Sequence, residues 1–221
     1  MSKELVIAAY DKDLQWVSGL NDNVKITTYR KGESSPLLDN EIRIEPNVGR
    51  CVHTFFKHIY DNYNNLSDYT FFCQDFPFDH WGNIIEVVNG DMDNLHDVSE
   101  LSIGGYYGYH NNTIGSAWVM VPTKHHNNGK VLVCLSNGNP QDRNPNINVD
   151  KYWVTLFDER IPAFYEFIPG GHFGISKEGI RIRTRGFYRK VLDMLTDDIT
   201  APWMIERLEC YIFNPKYKTK L

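Results

Sequence analysis

The residues whose types and spacing can do chemistry begin with TFFCQDFPFDHW, Thr70 to Trp81, where an aromatic and apolar run gives way to Asp75, Asp79 and His80. Hard divalent cations such as Mg2+ and Mn2+ take oxygen ligands and are commonly held by one or two carboxylates plus substrate phosphates. A pair of acids at a strand's end is the smallest device for that task. The same spacing also fits a polar turn leaving a sheet. Gln74 and His80 stand beside the acids as further ligands or as hydrogen-bonding support.

Three other stretches carry candidate groups. In EPNVGRCVHTFF, Asn47 to Gly49 precede a helical pattern whose free N–H groups and positive dipole end favour an anion, and Arg50 adds a permanent charge to its first turn. An ordinary helix start with an exposed arginine reads the same way. In GGHFGIS, the glycines of Gly170-Gly171-His172 let the backbone approach another group closely, so His172 is either a metal or substrate contact or part of a tight turn entering a strand. Glu206 lies on an otherwise apolar helical pattern, WMIERLE, where it is a solvated side chain or, inside a cleft, a general base or a stabiliser of a developing cation.

The elements that must position these groups follow from periodicity. Leu5 to Ala9 is a continuous apolar run, as in a parallel strand buried on both faces. Asp13 opens a short helix carrying Leu14, Trp16, Val17 and Leu20, and Val24 to Tyr29 is a second strand. EIRIEP gives a short third strand, a helix runs from about Arg50 to Asn64, and Tyr69 to Gln74 is the next strand. WGNIIEVVNGD suggests a short helix. SAWVMVP and KVLVCLS read as strands of a hairpin or sheet extension. After a Pro-Gly-Gly break and a short strand, helices are expected from about Gly186 to Leu195 and from Pro202 onward. This rhythm predicts a single α/β domain over residues 1–221 with a mainly parallel sheet, whose ligands bind at the carboxyl ends of the strands. Asp11, Asp13, Asp75 and Asp79 then share one edge.

Composition removes several classes. A formal charge of -5 with no dense basic block argues against a duplex nucleic-acid binder, which needs a lysine and arginine stripe. The basic stretch Lys177 to Lys190 reads as a solvated face or as contacts to an anion or membrane surface. No apolar run reaches a membrane span, and MSKELVIAAY lacks signal-peptide architecture, so a soluble, cytoplasmic protein is expected. Cys51, Cys73, Cys134 and Cys210 form no C-x-x-C pair, which points to reduced, mostly buried thiols. P-loop, dinucleotide and nucleophile-elbow motifs do not occur.

AAYDKDLQWV, the long block from PNVGR to PFDH, FIPGGHFGISKEGIRIRTRGFYRKVL and MIERLECYIF, in that order, resemble proteins related to GT-A glycosyltransferases, including domains encoded by large viruses of chlorella-like algae. The four segments cover about half the chain; Leu95 to Asn148 carries no such likeness. The resemblance implies a Rossmann-like GT-A domain that moves a sugar from a nucleotide-sugar, above all a UDP-sugar, to a glycan hydroxyl, with Mn2+ or Mg2+ bridging the diphosphate. It implies Tyr10, Asp11 and Asp13 near the nucleotide and Arg50 near the diphosphate, to which the helix start adds Asn47. Asp75 and Asp79 take the place of the acidic metal motif, Asp79 having a share in catalysis. His172 faces sugar and metal, and Glu206 borders the acceptor side. Many GT-A enzymes have Asp-x-Asp at this strand end, whereas this chain has Gln74-Asp75-Phe76, and Cys51 replaces the Glu of an N-x-G-R-E pattern. Two other classes fit the same residues. One is a non-catalytic carbohydrate- or nucleotide-binding module with Trp81, Tyr106, Tyr107 and Tyr109 stacking on sugars; the other is a metal-dependent phosphohydrolase.

Overall fold

A computed structural model describes residues 1–32, 41–44, 46–90, 117–120, 130–135, 148–162, 164–167 and 170–216. Strand β1 (Lys3–Ala9) is buried along its whole length, as a continuous apolar run predicts for a central strand. It pairs in parallel with β2 (Val24–Arg30) on one side and, skipping ahead in sequence, with β4 (Tyr69–Gln74) on the other. Strand β3 (Ile42–Arg43) continues the parallel order beyond β2, and β8 (Phe173–Ser176) closes the far edge antiparallel to β4. The central sheet therefore reads β3-β2-β1-β4-β8. The chain is a mixed α/β protein with a mostly parallel five-stranded sheet, of the Rossmann-like kind.

Side chains that alternate along a strand go to opposite faces. On one face Val6, Ala8, Tyr29 and Phe72 pack against α1 (Arg50–Asp61), α3 (Val149–Phe157), α5 (Arg185–Asp197) and α6 (Ala201–Ile212). On the other, Leu5, Ile7, Ala9, Phe71 and Cys73 meet a thinner cover, made by a 3-10 turn (Gln15–Gly19), Trp81 and α2 (Ile84–Asn89). Asp13 accepts the N–H of Gln15 at 2.8 Å and so starts that turn, which is 3-10 rather than α. Helix α1 stops at Asp61, three residues before its expected end. A second, three-stranded antiparallel sheet joins β5 (Ala117–Met120), β6 (Lys130–Leu135) and β7 (Phe164–Phe167); the expected hairpin strands pair with each other there.

Two helices were not legible as such. Helix α3 carries its own signal: Asn148 accepts the N–H of Lys151, and Tyr152, Trp153, Leu156 and Phe157 recur at helical spacing. The short α4 (Lys177–Arg181) starts on Ser176, whose hydroxyl accepts the N–H of Gly179. The basic stretch around it is not a uniform solvated face. Arg183 is buried and donates to the carbonyls of Tyr211 and Ile212 at 3.0 and 2.6 Å, satisfying the end of α6. Among the described residues no helix is long and apolar enough to cross a membrane.

Candidate functional site

The strand order reverses between β1 and β4, so the crevice outside their carboxyl ends is where an open α/β sheet offers a ligand site. Asp75 leaves β4 and turns back under the β1 loop. Its Oδ2 accepts the N–H groups of Tyr10, Asp11 and Lys12 at 2.9, 3.1 and 3.0 Å, and its carbonyl accepts the indole N–H of Trp16 at 2.8 Å. One carboxylate oxygen thus fills a ring of backbone donors and fixes the loop that carries Tyr10, Asp11 and Asp13. That role joins groups 63 to 65 residues apart, so local spacing could not reveal it.

Asp79 behaves differently. It closes the 3-10 turn Pro77–Asp79 with its side chain 52% exposed, touched at 3.5 Å by the Gln74 amide and at 3.5 Å by His80 Nε2. Asp11 is also exposed. Among the described residues no three His, Cys, Asp or Glu side chains gather as a metal-binding set. The oxygen atoms that would be offered to Mg2+ or Mn2+ are those of the exposed Asp79 and the second oxygen of Asp75.

The Gly-Gly-His turn meets this edge from the other side. Gly170 and Gly171 have φ of 108° and 62°, and a Cβ at Gly170 would stand 2.8 Å from the His80 ring. Only glycine lets the turn press on that histidine. The His172 ring lies edge-on to His80 with centroids 5.7 Å apart, and its Nε2 faces the Gln74 N–H at 3.5 Å, while its buried Nδ1 has no partner. Burial, aided by the charge of His80, pulls the His172 imidazole down to about 3, so it stays neutral at physiological pH.

Helix α6 supplies the remaining wall. Glu206 Oε1 accepts the Gly170 N–H at 2.6 Å, and Gly171 sits beside both Glu206 and the Cys51 thiol. Burial raises the Glu206 carboxyl above its usual range, against the lowering pull of that hydrogen bond and of Arg207, His80 and Arg50. One turn further on, Glu209 is 3% exposed with Oε1 unpartnered, and burial beside Glu206 pushes it up well beyond the carboxylate range. Sequence reasoning passed over Glu209; its only signal was the i, i+3 spacing from Glu206. Burial holds the Cys51 thiol at about 12, which makes it a poor nucleophile.

Arg50 begins α1 on unusual backbone. Gly49 and Arg50 both take left-handed conformations, with φ of 65° and 52°, and the helix has no side-chain cap and no acid in its first turn. A left-handed arginine is strained, and such strain gathers at functional sites. Its guanidinium lies 5.2 Å over the Trp203 ring of α6. Asn47 is exposed on the approach to this turn. Tyr10, Asp11, Asp13, Asn47, Arg50, Asp75, Asp79, His172 and Glu206 thus all belong to the segments at the carboxyl edge. Trp81 does not serve as a sugar-stacking surface: it is 1% exposed, packed against Phe71. Tyr106, Tyr107 and Tyr109 lie outside the described residues.

No curated protein and no solved structure matches the sequence. A family described as a protein of unknown function, DUF3431, matches residues 5–219, and the chain therefore belongs to the DUF3431 family.

Proposed function

We propose that the protein is a nucleotide-sugar-dependent glycosyltransferase, with a UDP-sugar as donor and a glycan hydroxyl as acceptor. The observation that carries this reading is the reversal of strand order at β1 and β4, with an arginine, exposed acids and the half-buried Glu206 on the segments at the carboxyl edge. Tyr10, Asp11 and Asp13 border the nucleotide. Arg50 and the uncapped N–H groups of α1 receive the diphosphate as fixed donors. Asp79, with the second oxygen of Asp75, would hold Mg2+ or Mn2+, which when bound neutralises charge on the departing diphosphate.

In the transfer itself the acceptor oxygen bonds to the anomeric carbon as the bond to the diphosphate oxygen breaks. Glu206, its carboxyl raised by burial and oriented by Gly170 N–H, accepts the hydroxyl proton in an inverting enzyme or faces the oxocarbenium-like centre in a retaining one. The neutral His172 and its neighbour His80 wall the sugar side. The engagement of Asp75 by three backbone N–H groups favours a second reading, a non-catalytic carbohydrate- or nucleotide-binding module, because it gives this acid a task without metal.

Thermal-shift and calorimetric titrations against UDP, GDP and several nucleotide-sugars, with and without Mn2+, test the reading. A native-state ligand at 100 times its Kd stabilises by about 2.7 kcal/mol. The expected result is metal-enhanced stabilisation by one nucleotide class, lost in Asp79→Ala, with sugar transfer to an added glycan acceptor. Binding without turnover selects the module, and hydrolysis of the donor without an acceptor selects a phosphohydrolase. No response to any nucleotide overturns the reading.

A further inference from the structure

Lys31 follows β2 directly, and its N–H donates to the Ala9 carbonyl at the end of β1, which sets it at the carboxyl edge. It is 4% exposed, and its ammonium donates to the carbonyls of Val48 and Arg50 at 2.5 and 2.6 Å. Its third N–H has no acceptor, and no carboxylate pairs with it, among the described residues. Two other buried cations are placed more favourably. Arg30 is paired with Glu41, and Arg183 sits at the negative end of α6. Lys31 instead lies at the positive end of α1, where a cation is unfavourable, and Arg50 adds a second charge in the same turn.

We infer that Lys31 is the buried cation of a diphosphate site at the start of α1: it locks the left-handed Gly49–Arg50 turn by its carbonyls and supplies charge that the diphosphate neutralises. The inference rests on the reading above and names a positioning residue for its donor site. The groups facing Lys31 cannot replace the anion. Among the described residues Cys51 on α1 is the one ionisable group that would favour its charge, and burial keeps that thiol neutral. His53, packed under Gly49 with Nδ1 unpartnered, is held down to about 4 by burial and by Lys31 and is neutral as well. Arg50 adds like charge, and Arg30 is already neutralised by Glu41. Burial lowers Lys31 to about 8, so part of the population loses this charge in mild alkali, and a bound diphosphate restores the proton.

The test is calorimetric titration of the full chain with inorganic pyrophosphate and, separately, UDP, from pH 7 to 9, for wild type, Lys31→Arg and Lys31→Met. Wild-type affinity for both probes is expected to fall relative to Lys31→Arg as pH passes 8, by roughly tenfold at pH 9 for a group titrating near 8. The ratio between the two proteins cancels the ligand's own titration. Lys31→Met should bind at least tenfold more weakly at pH 7 and show no such fall. Should the variants misfold, wild type alone suffices: in two buffers of different ionisation enthalpy, binding at pH 8.5 must take up protons once the ligand's own release, known from its titration, is subtracted. Pyrophosphate binding with proton uptake but no nucleotide binding keeps the anion site and removes the glycosyltransferase reading. Nucleotide binding with no proton uptake, and equal affinities across variants, removes the role of Lys31 and keeps that reading. Binding of neither probe overturns both.

Discussion

At the amino end of the sheet, Glu4 on β1 is buried and has what a buried carboxylate needs. It accepts the hydroxyls of Thr27 and Ser67 at 2.6 and 2.9 Å and pairs with Lys25 at 3.0 Å. Burial works against its charge, but the neighbouring His58 and the bonds from Thr27, Lys25 and Ser67 outweigh it and hold the carboxyl below its usual range. At the carboxyl end, among the described residues, Glu209 Oε1 and His172 Nδ1 are buried without partners and Lys31 has no acid, and Arg50 is strained. Buried polar groups are normally satisfied because leaving one unpaired costs about 1–3 kcal/mol. Thr70 Oγ1 and His58 Nε2 at the amino end are unpartnered too, so the contrast lies in the charged groups: the buried acid Glu4 is compensated by hydroxyls and a lysine, whereas Glu209 and Lys31 are not compensated by an opposite charge among the described residues.

The largest effect expected from breaking this contrast is in acid. His53 and His58 are held down to about 4 and His172 to about 3, chiefly by burial, against an ordinary 6.5. The unfolded chain therefore binds protons that the native chain refuses, and stability is lost as pH falls from about 6.5 toward 4. Each histidine contributes up to about 1.4 kcal/mol per pH unit across that window. Urea midpoints measured between pH 7 and 4 should fall steeply, and His58→Gln and His172→Gln should each flatten the curve.

Next come the two structural acids. Glu4→Ala should cost about 3 kcal/mol by denaturant unfolding, since it removes several charge-assisted bonds, yet leave ligand binding intact. Asp75→Ala should cost about 2 kcal/mol and abolish ligand binding too, because the Tyr10–Lys12 loop loses its common acceptor. Equal binding losses in the two variants would erase the distinction between the ends of the sheet.

Smaller and opposite in sign is Arg50→Gly. Relieving a left-handed non-glycine residue should stabilise the fold by about 1 kcal/mol in thermal unfolding while weakening pyrophosphate binding. The smallest effect belongs to Asp79→Ala, within about 0.5 kcal/mol of wild type in stability because the side chain is half exposed, but with metal-enhanced nucleotide binding lost. Glu209→Gln adds a sign test. A carboxyl raised on folding stabilises below about 4.5 and loses that contribution as pH rises, so the variant should match wild type at pH 4 and exceed it at pH 8.

Strands β1, β2 and β4 and helices α1, α5 and α6 were legible because apolar runs and helical spacing record which faces must be buried, and the α/β class follows from their order. The mainly parallel sheet that turns scattered acids into one edge was legible as an expectation for the same reason, whereas the reversal of order between β1 and β4 came only with the structure. Tertiary structure alone decided how neighbouring acids divide their tasks. Asp75 and Asp79 are four residues apart, yet one is buried on three N–H groups of a distant loop and the other stands in the open. Burial of Trp81, the neutral state of His172, the unpartnered Glu209 and the buried Lys31 are likewise products of packing between elements far apart in the chain. Local sequence encodes the periodicity that makes each element; desolvation and charge depend on what the other elements bring alongside it.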